Sequence, residues 1–403
     1  VRKARLHFML ITILIVILTA NSTVALTAKS ISQKYVVGYE ITIVNEGNKT
    51  YPLEDMEKLT LIPEDNHQKL ISVTLKINGN EVDWKFAGIN DEGNWEIEIL
   101  NPPENLPPNS RISLETQFEV EISQLSPPTI SVEESGDISD IPQNLVRQYC
   151  KMEGIWAKSA NASLLANRLK GNETNILKIV FKFIKWIENN IKYPMGLTPK
   201  LPTYPDETIA LGEGDCDDQA NLLVAMCRSI GIPAYTQLSF LYMKGEEPVR
   251  RTLLEGRLTI EAVNVAGHGW AVIYVPPWGW IPVDMTYFEG EKLVSGRIIS
   301  INIEDHIRGA ALFHVAALVT ENIVKSDYIK ELKEWMSELK EYNLKWSEKY
   351  YMLIKEPKKP RDGMIIASAI GLIALTSATF AVYFYVKKRR TTSLAPTTIN
   401  KVN

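Results

Sequence analysis

Cysteine is scarce in this chain, three residues in 403, and that scarcity removes the disulfide-scaffold class. Glycine and proline, at 22 and 21, are in no excess, which excludes collagen-like and low-complexity chains. A basic surplus is also missing, since the formal net charge is −4. Setting aside the three positive charges before residue 26 and the five after residue 363 takes it from −4 to −12. So acidic a body offers no basic footprint to a nucleic acid, and no nucleic-acid partner is expected. No acidic run has the loop spacing of an EF-hand calcium site, and neither a metal nor a cofactor is expected.

Long hydrophobic runs are confined to the two ends. Arg2, Lys3 and Arg5 precede an apolar run from Phe8 to Leu18 and the small residues leading to Ala25, the pattern of a signal peptide cleaved after Ala25. A retained N-terminal anchor is the alternative, disfavoured by so short a run. Met364 to Val386 carries no charge over 23 residues, enough at 1.5 Å per residue to cross about 30 Å of hydrocarbon. Lys387, Lys388, Arg389 and Arg390 follow at once. The positive-inside rule keeps that cluster cytoplasmic, so the expected location is a single-pass cell membrane protein with its body outside.

At this length two or more folded units are expected. Between Tyr35 and Ser123, alternating runs such as YVVGYEITIV and RISLETQFEVEI are separated by turn signals such as Asn78-Gly79-Asn80, which read as an antiparallel β-sandwich. Nothing in that region clusters catalytic residue types, so its expected role is positioning or partner contact. A Pro-containing linker follows, then helical periodicity, with Ile179, Phe183, Trp186, Ile187 and Ile191 on one face. Tyr328, Leu332, Trp335, Leu339, Tyr342, Trp346, Tyr350 and Leu353 recur at spacings of three and four, which predicts one long amphipathic helix. It either packs on its own domain or forms a coiled-coil stalk that would support an oligomer. The expected organisation is a signal peptide over 1–25, a β-sandwich over 30–125, a linker over 126–142 and an α+β unit over 143–324. After these come an amphipathic helix over 325–356, a membrane helix over 364–386 and a cytoplasmic tail over 387–403.

The chemistry concentrates in GEGDCDDQANLLVAMCRSIGIP, residues 212 to 233. Asp215 is a good N-cap, and Leu222, Leu223, Met226 and Ile230 give a helical apolar face, so Cys216 stands at a helix N-terminus. There the helix dipole favours a thiolate. Asp215, Asp217 and Asp218 oppose it, so Cys216 needs a cationic partner. Cys227, 11 residues on, is roughly 16 Å away along the helix and cannot bridge Cys216. Cys150 and Cys227 either pair with each other or remain buried thiols.

Five histidines are available. His7 falls in the signal peptide, His67 in the β region, and His306 and His314 beside an apolar stretch that suggests structural roles. His268 lies between Gly267 and Gly269, which leave room for a substrate backbone, and opens WAVIYV, a strand. WIPVDMTY is a second strand, with Asp284 sixteen residues after His268. An odd loop, 275 to 279, sets Asp284 opposite Trp270 and diagonal to His268 on one face, within side-chain reach.

GEGDCDDQANLL, GHGWAVIYV and GWIPVDMTY resemble the three motifs of the transglutaminase-like superfamily, in order and spacing, over about residues 176 to 290. The resemblance implies an α+β core related to papain-like proteases. It also implies that Cys216 attacks an amide carbonyl, that His268 forms the ion pair and protonates the leaving amine, and that Asp284 orients the imidazole. Asp218 and Ala220 match structural positions of the motif. For the side-chain oxyanion donor, Tyr193, Trp186 and Tyr204 are candidates. Water as the acceptor gives a protease or amidase acting on a protein or peptide at the cell surface, the favoured expectation. An amine acceptor gives a transglutaminase, and a binding platform without catalysis is the third reading. Sequons at Asn21, Asn48, Asn161 and Asn172 permit glycosylation.

Overall fold

Period-two patterning does become strand pairing in the computed structural model, which describes residues 32–123, 129–194, 201–245, 247–286, 291–294, 297–300, 302–314 and 317–355. The expected signal peptide, membrane helix and cytoplasmic tail lie outside these residues. Among the described residues no helix is long and apolar enough to cross a membrane.

The architecture is mixed α+β. Ser32–Asn45 pairs antiparallel with Ser110–Ser123, and Gln68–Ile77 extends the same sheet. Asn78 and Gly79 both take left-handed φ, 51° and 77°, as a two-residue hairpin turn into Asn80–Glu81 requires. A three-stranded sheet of Lys58–Thr60, Trp95–Ile99 and Trp84–Ile89 shares a core with this larger sheet, through Leu59, Ile97 and Ile99 against Val37, Phe118 and Val120.

The long helix expected over 325–356 is corrected. The chain forms a helix over Tyr328–Glu341, turns at Asn343 with φ 52°, and continues as a strand, Leu344–Ile354. Trp346 and Tyr350, four apart, satisfy a helical stripe and an alternating strand equally well. The decision falls to Leu344, Glu348 and Met352, which alternate into the core with them while Leu353 is exposed. This strand is central: it pairs antiparallel with Ser32–Asn45 and parallel with Leu258–Val263. The coiled-coil stalk loses its basis, because both sides of the segment are occupied within the chain. The seven-stranded sheet therefore takes strands from both sides of the expected boundaries at 125 and 325.

A second, four-stranded sheet runs Gly279–Val283, Val265–Val275, Ala234–Tyr242, Ala317–Ile323. Its outer edge at Ala317–Ile323 is closed by side chains of the β region. Gln68 exchanges two hydrogen bonds with Val319, Nε2 donating at 2.8 Å and Oε1 accepting at 2.8 Å. Asn94 does the same with Asn322 at 3.0 and 2.8 Å. Glu92 accepts the Lys325 and Ser326 amides at 2.8 and 2.7 Å, and His67 Nε2 lies 3.0 Å from the Ala317 carbonyl oxygen. An open strand edge is thus covered, and the β region is tied to the sheet that carries His268.

Helices pack on the other face of that sheet. Ile176–Asn190 starts at Asn175, whose side chain accepts the Lys178 amide, and buries Ile179, Phe183 and Ile187 as its stripe requires. Each fully buried aliphatic or aromatic side chain of this kind stabilises the fold by about 1.5–3 kcal/mol. These residues surround Cys216–Ser229, a helix buried along nearly its whole length. All three cysteines are free thiols, Cys150 half-buried and Cys216 and Cys227 buried.

Candidate active site

The Cys216 helix starts where the sequence places it. Gly212, at φ 63°, closes the preceding helix Pro205–Leu211, and Asp215 is the N-cap. Asp218 turns back to accept the Asp215 amide at 3.2 Å, and also accepts the Thr203 amide at 2.6 Å and its hydroxyl at 3.0 Å. That matches the structural role the motif assigns to Asp218. Asp217 accepts the Tyr328 hydroxyl at 2.7 Å, Asn221 donates to that hydroxyl at 2.8 Å, and Thr236 donates to Asn221 at 2.8 Å. The chain beyond 325 therefore supports the site, which sequence reasoning did not anticipate.

Gly269 explains how the helix meets the sheet. A Cβ there would stand 3.0 Å from Asp217 Cβ and 3.3 Å from its Cα, so only glycine lets the helix start approach the strand. The room expected for a substrate is, at Gly269, taken by the protein itself. The backbone N–H of Gly269, next in the chain after His268, favours the thiolate form of Cys216.

The register Ala271↔Val283 continues to set Asp284 opposite Trp270. His268 is then its diagonal neighbour, and its Nε2 lies 2.6 Å from Asp284 Oδ2 with both side chains wholly buried. Asp284 Oδ1 accepts the Thr286 amide at 2.8 Å. His314 Nε2 also reaches Oδ2, at 2.9 Å, and its ring stacks on Trp270 with centroids 3.8 Å apart. His314 is thus a buried histidine with its hydrogen bond made, as the structural reading expects, and its partner is Asp284. The only sequence signal for it was the small number of histidines, because no spacing relates residue 314 to 284 before the chain is folded.

Burial alone would push the Asp284 carboxyl up, but the charge and hydrogen bond of His268 and the hydrogen bond of His314 outweigh it and hold the group well below the usual carboxylate range. Asp215 and Asp218 shift the other way, raised by burial and then by the neighbouring Asp217 carboxylate. Cys216 is raised well above an ordinary thiol, first by burial, then by Asp215 and Asp217, with the Gly269 amide opposing and Asp284 adding to the rise. Burial and the helix-side carboxylates thus oppose a thiolate at Cys216, and the Gly269 backbone favours it.

His268, Asp284 and His314 place one donor atom each within 4.8 Å of one another. Contacts of 2.6 and 2.9 Å are shorter than the edge of about 3.3 Å in a tetrahedral zinc site with bonds near 2.0 Å, and they match shared protons. Among the three oxyanion candidates, Tyr204 gives its hydroxyl to Asp327 at 3.0 Å and Trp186 lines an outer cleft with Leu164 and Ile209. Tyr193 follows Lys192, which bridges to Glu213 in the turn before Cys216.

Residues 163–285 match the family model of the transglutaminase-like superfamily, a span that holds Cys216, His268 and Asp284 together. Over this segment the chain is similar to the transglutaminase-like core. Solved structures resemble the chain at low identity. A candidate cysteine protease from Cytophaga hutchinsonii is 16% identical with a TM-score of 0.43, covering 85% of this chain and 95% of that one. The periplasmic domain of TgpA from Pseudomonas aeruginosa, bound to ethylmercury, is 14% identical with a TM-score of 0.29, covering 62% of this chain and 89% of that one. A candidate protease from Parabacteroides distasonis is 12% identical with a TM-score of 0.25, covering 71% of this chain and 47% of that one. No curated protein matches the chain. Within the transglutaminase-like core, then, the sheet supplies the imidazole and carboxylate and the buried helix supplies the thiol.

Proposed function

We propose that the chain is a thiol enzyme that cleaves amide bonds of peptides or proteins through an acyl-enzyme on Cys216, with water as the acceptor. The observation that carries this reading is the buried 2.6 Å contact of His268 Nε2 with Asp284, one residue from Gly269, where the strand meets the start of the Cys216 helix. With Nε2–H held by the ionised carboxylate, Nδ1 of the neutral ring is its basic nitrogen. It takes the thiol proton as the sulfur adds to the carbonyl carbon, then gives that proton to the departing amine as the C–N bond breaks. Water adds to the thioester with the same base, and the thiol is regenerated. Backbone N–H groups at the helix start, with Tyr193 as side-chain donor, would bind the oxyanion. The uncharged run over residues 364–386 and the basic cluster after it support a location outside the cell membrane, with that run as the anchor.

Transamidation is the second reading, favoured by Asp217 beside the sulfur, whose carboxylate would attract a cationic amine. The test assays the full-length protein and its Cys216→Ala variant on a panel of peptide amides, with and without methylamine. New carboxyl groups should form with methylamine present, and Cys216→Ala should lose at least about 10⁴-fold in rate. Turnover that survives in Cys216→Ala sinks the thiol mechanism. Methylamide products in place of carboxyl groups replace hydrolysis with transamidation, and no turnover across the panel supports a binding role.

A further inference from the structure

We propose that His314 is a positioning residue of this site, donating its Nε2–H to the same carboxylate oxygen, Asp284 Oδ2, that holds His268. The inference deepens the thiol-enzyme reading and rests on it for its kinetic part alone. Oδ2 has lone pairs for two donors, and the two imidazole nitrogens approach it at 2.6 and 2.9 Å. An ionised carboxylate donates nothing, so both nitrogens must carry hydrogen. One consequence is that the His268 tautomer is fixed with Nδ1 as the basic atom. Another is that the negative charge of Asp284 is divided between two rings.

The position of His314 is itself built. Its ring stacks on Trp270 at 3.8 Å and 23°, Trp270 donates Nε1–H to Gln237 at 3.0 Å, and Gln237 donates to Asn322 at 2.9 Å on the edge strand. Three residues after His314, the Ala317 carbonyl meets His67. The titratable groups facing His314 are Asp284 from the segment after Gly279–Val283, His268 from Val265–Val275 and His67 from the start of Gln68–Ile77. Burial lowers the His314 imidazole, against the hydrogen bond and charge of Asp284. His314 therefore offers a neutral N–H donor: it orients the carboxylate without adding a cation that would compete with the imidazolium form of His268.

The test uses the full-length chain and two variants, His314→Phe, which keeps a ring on Trp270 but has no donor, and His314→Gln, whose amide nitrogen can reach the same oxygen. In ¹H–¹⁵N spectra of histidine-labelled protein, the parent should show Nε2–H signals from His268 and His314 beside that of His67 on the Ala317 carbonyl. In His314→Phe one is lost and the His268 signal moves, whereas in His314→Gln the His268 signal stays near its parental position. This readout needs no turnover, so it decides the hydrogen bond even where the thiol-enzyme reading fails. On substrate, His314→Phe should lose about 10-fold in kcat with KM changed less than about 2-fold, since the loss is one of alignment in the transition state. The acidic limb of its pH profile should move up by about 0.5–1 unit, because the whole Asp284 charge then falls on His268 and holds its proton to higher pH. His314→Gln should recover to within about 3-fold of the parent. A His268 signal unmoved by His314→Phe overturns the proposal. A parental kcat and pH profile in His314→Phe, or a Gln variant as slow as the Phe variant, does so as well.

Discussion

Two sets of buried carboxylates flank Cys216 and are treated in opposite ways. Asp284, on the sheet side, receives two imidazole nitrogens and the Thr286 amide and is held far down. Asp215 and Asp218, on the helix side, are pushed up by burial and by Asp217. Residue type is the same and burial pushes each of the three up, so the difference lies in the partners. Asp218 also accepts two amides and a hydroxyl, so what sets Asp284 apart is that its donors include two imidazoles, whereas Asp215 and Asp218 face another carboxylate. Carboxylates that shape the turn before the nucleophile are left to share protons, which reduces the negative charge a developing thiolate would meet.

The largest effect should come from removing the charge on the sheet side. Asp284→Asn keeps size and shape, but its amide NH₂ cannot accept from either ring where it replaces Oδ2, and the imidazolium loses its counter-charge. A fall in kcat of about 10³–10⁴-fold is expected, with the protein still folded by circular dichroism. Loss below about 10-fold would show that the carboxylate is not part of the chemistry.

Next in size is the cost of crowding three histidines around one carboxylate. His306 is wholly buried, and burial, opposed by the nearby Asp284 charge and reinforced by Lys185, pulls its imidazole from 6.5 down to about 4. A folded-state value below the unfolded one means the fold binds fewer protons there. The stability this contributes is complete above about pH 6.5 and is lost as pH falls toward 4, by about 3 kcal/mol in all. Denaturant unfolding between pH 7 and 4 should show that slope, and His306→Gln should flatten it. An unchanged slope in the variant would place the acid sensitivity elsewhere.

The Cys216 helix, the His268 strand and the hairpin register were legible because each rests on local rules, an N-cap, a period of two and the parity of a loop. The strand Leu344–Ile354 was not. Its Trp346 and Tyr350 obey helical and strand periods alike, and only the gap between Ser32–Asn45 and Leu258–Val263 selects one. His314 was illegible for a related reason. Its partner lies 30 residues earlier, brought near by the helix Ile303–Phe313 and the return into Ala317–Ile323. Tyr328 reaches Asp217 across 111 residues in the same way. Such long-range pairings leave no spacing in a single sequence.

The smallest expected effect probes the helix side and sharpens the comparison most. Asp217→Asn leaves an amide oxygen to accept the Tyr328 hydroxyl, so the network through Asn221 and Thr236 can stay closed. What it removes is a negative charge that raises the Cys216 thiol. The thiolate fraction at neutral pH should increase, and alkylation of Cys216 by iodoacetamide should quicken by about 3–10-fold, with the midpoint of its pH dependence displaced downward. Asp284→Asn removes a smaller charge contribution on the thiol but disables its base, so it should not raise turnover. If the helix-side carboxylates only build the turn, alkylation of Asp217→Asn will follow the parental curve. If they set the resting state of the thiol, the curve moves while the unfolding midpoint does not, and the two flanks of Cys216 separate into one that stabilises charge and one that withholds it.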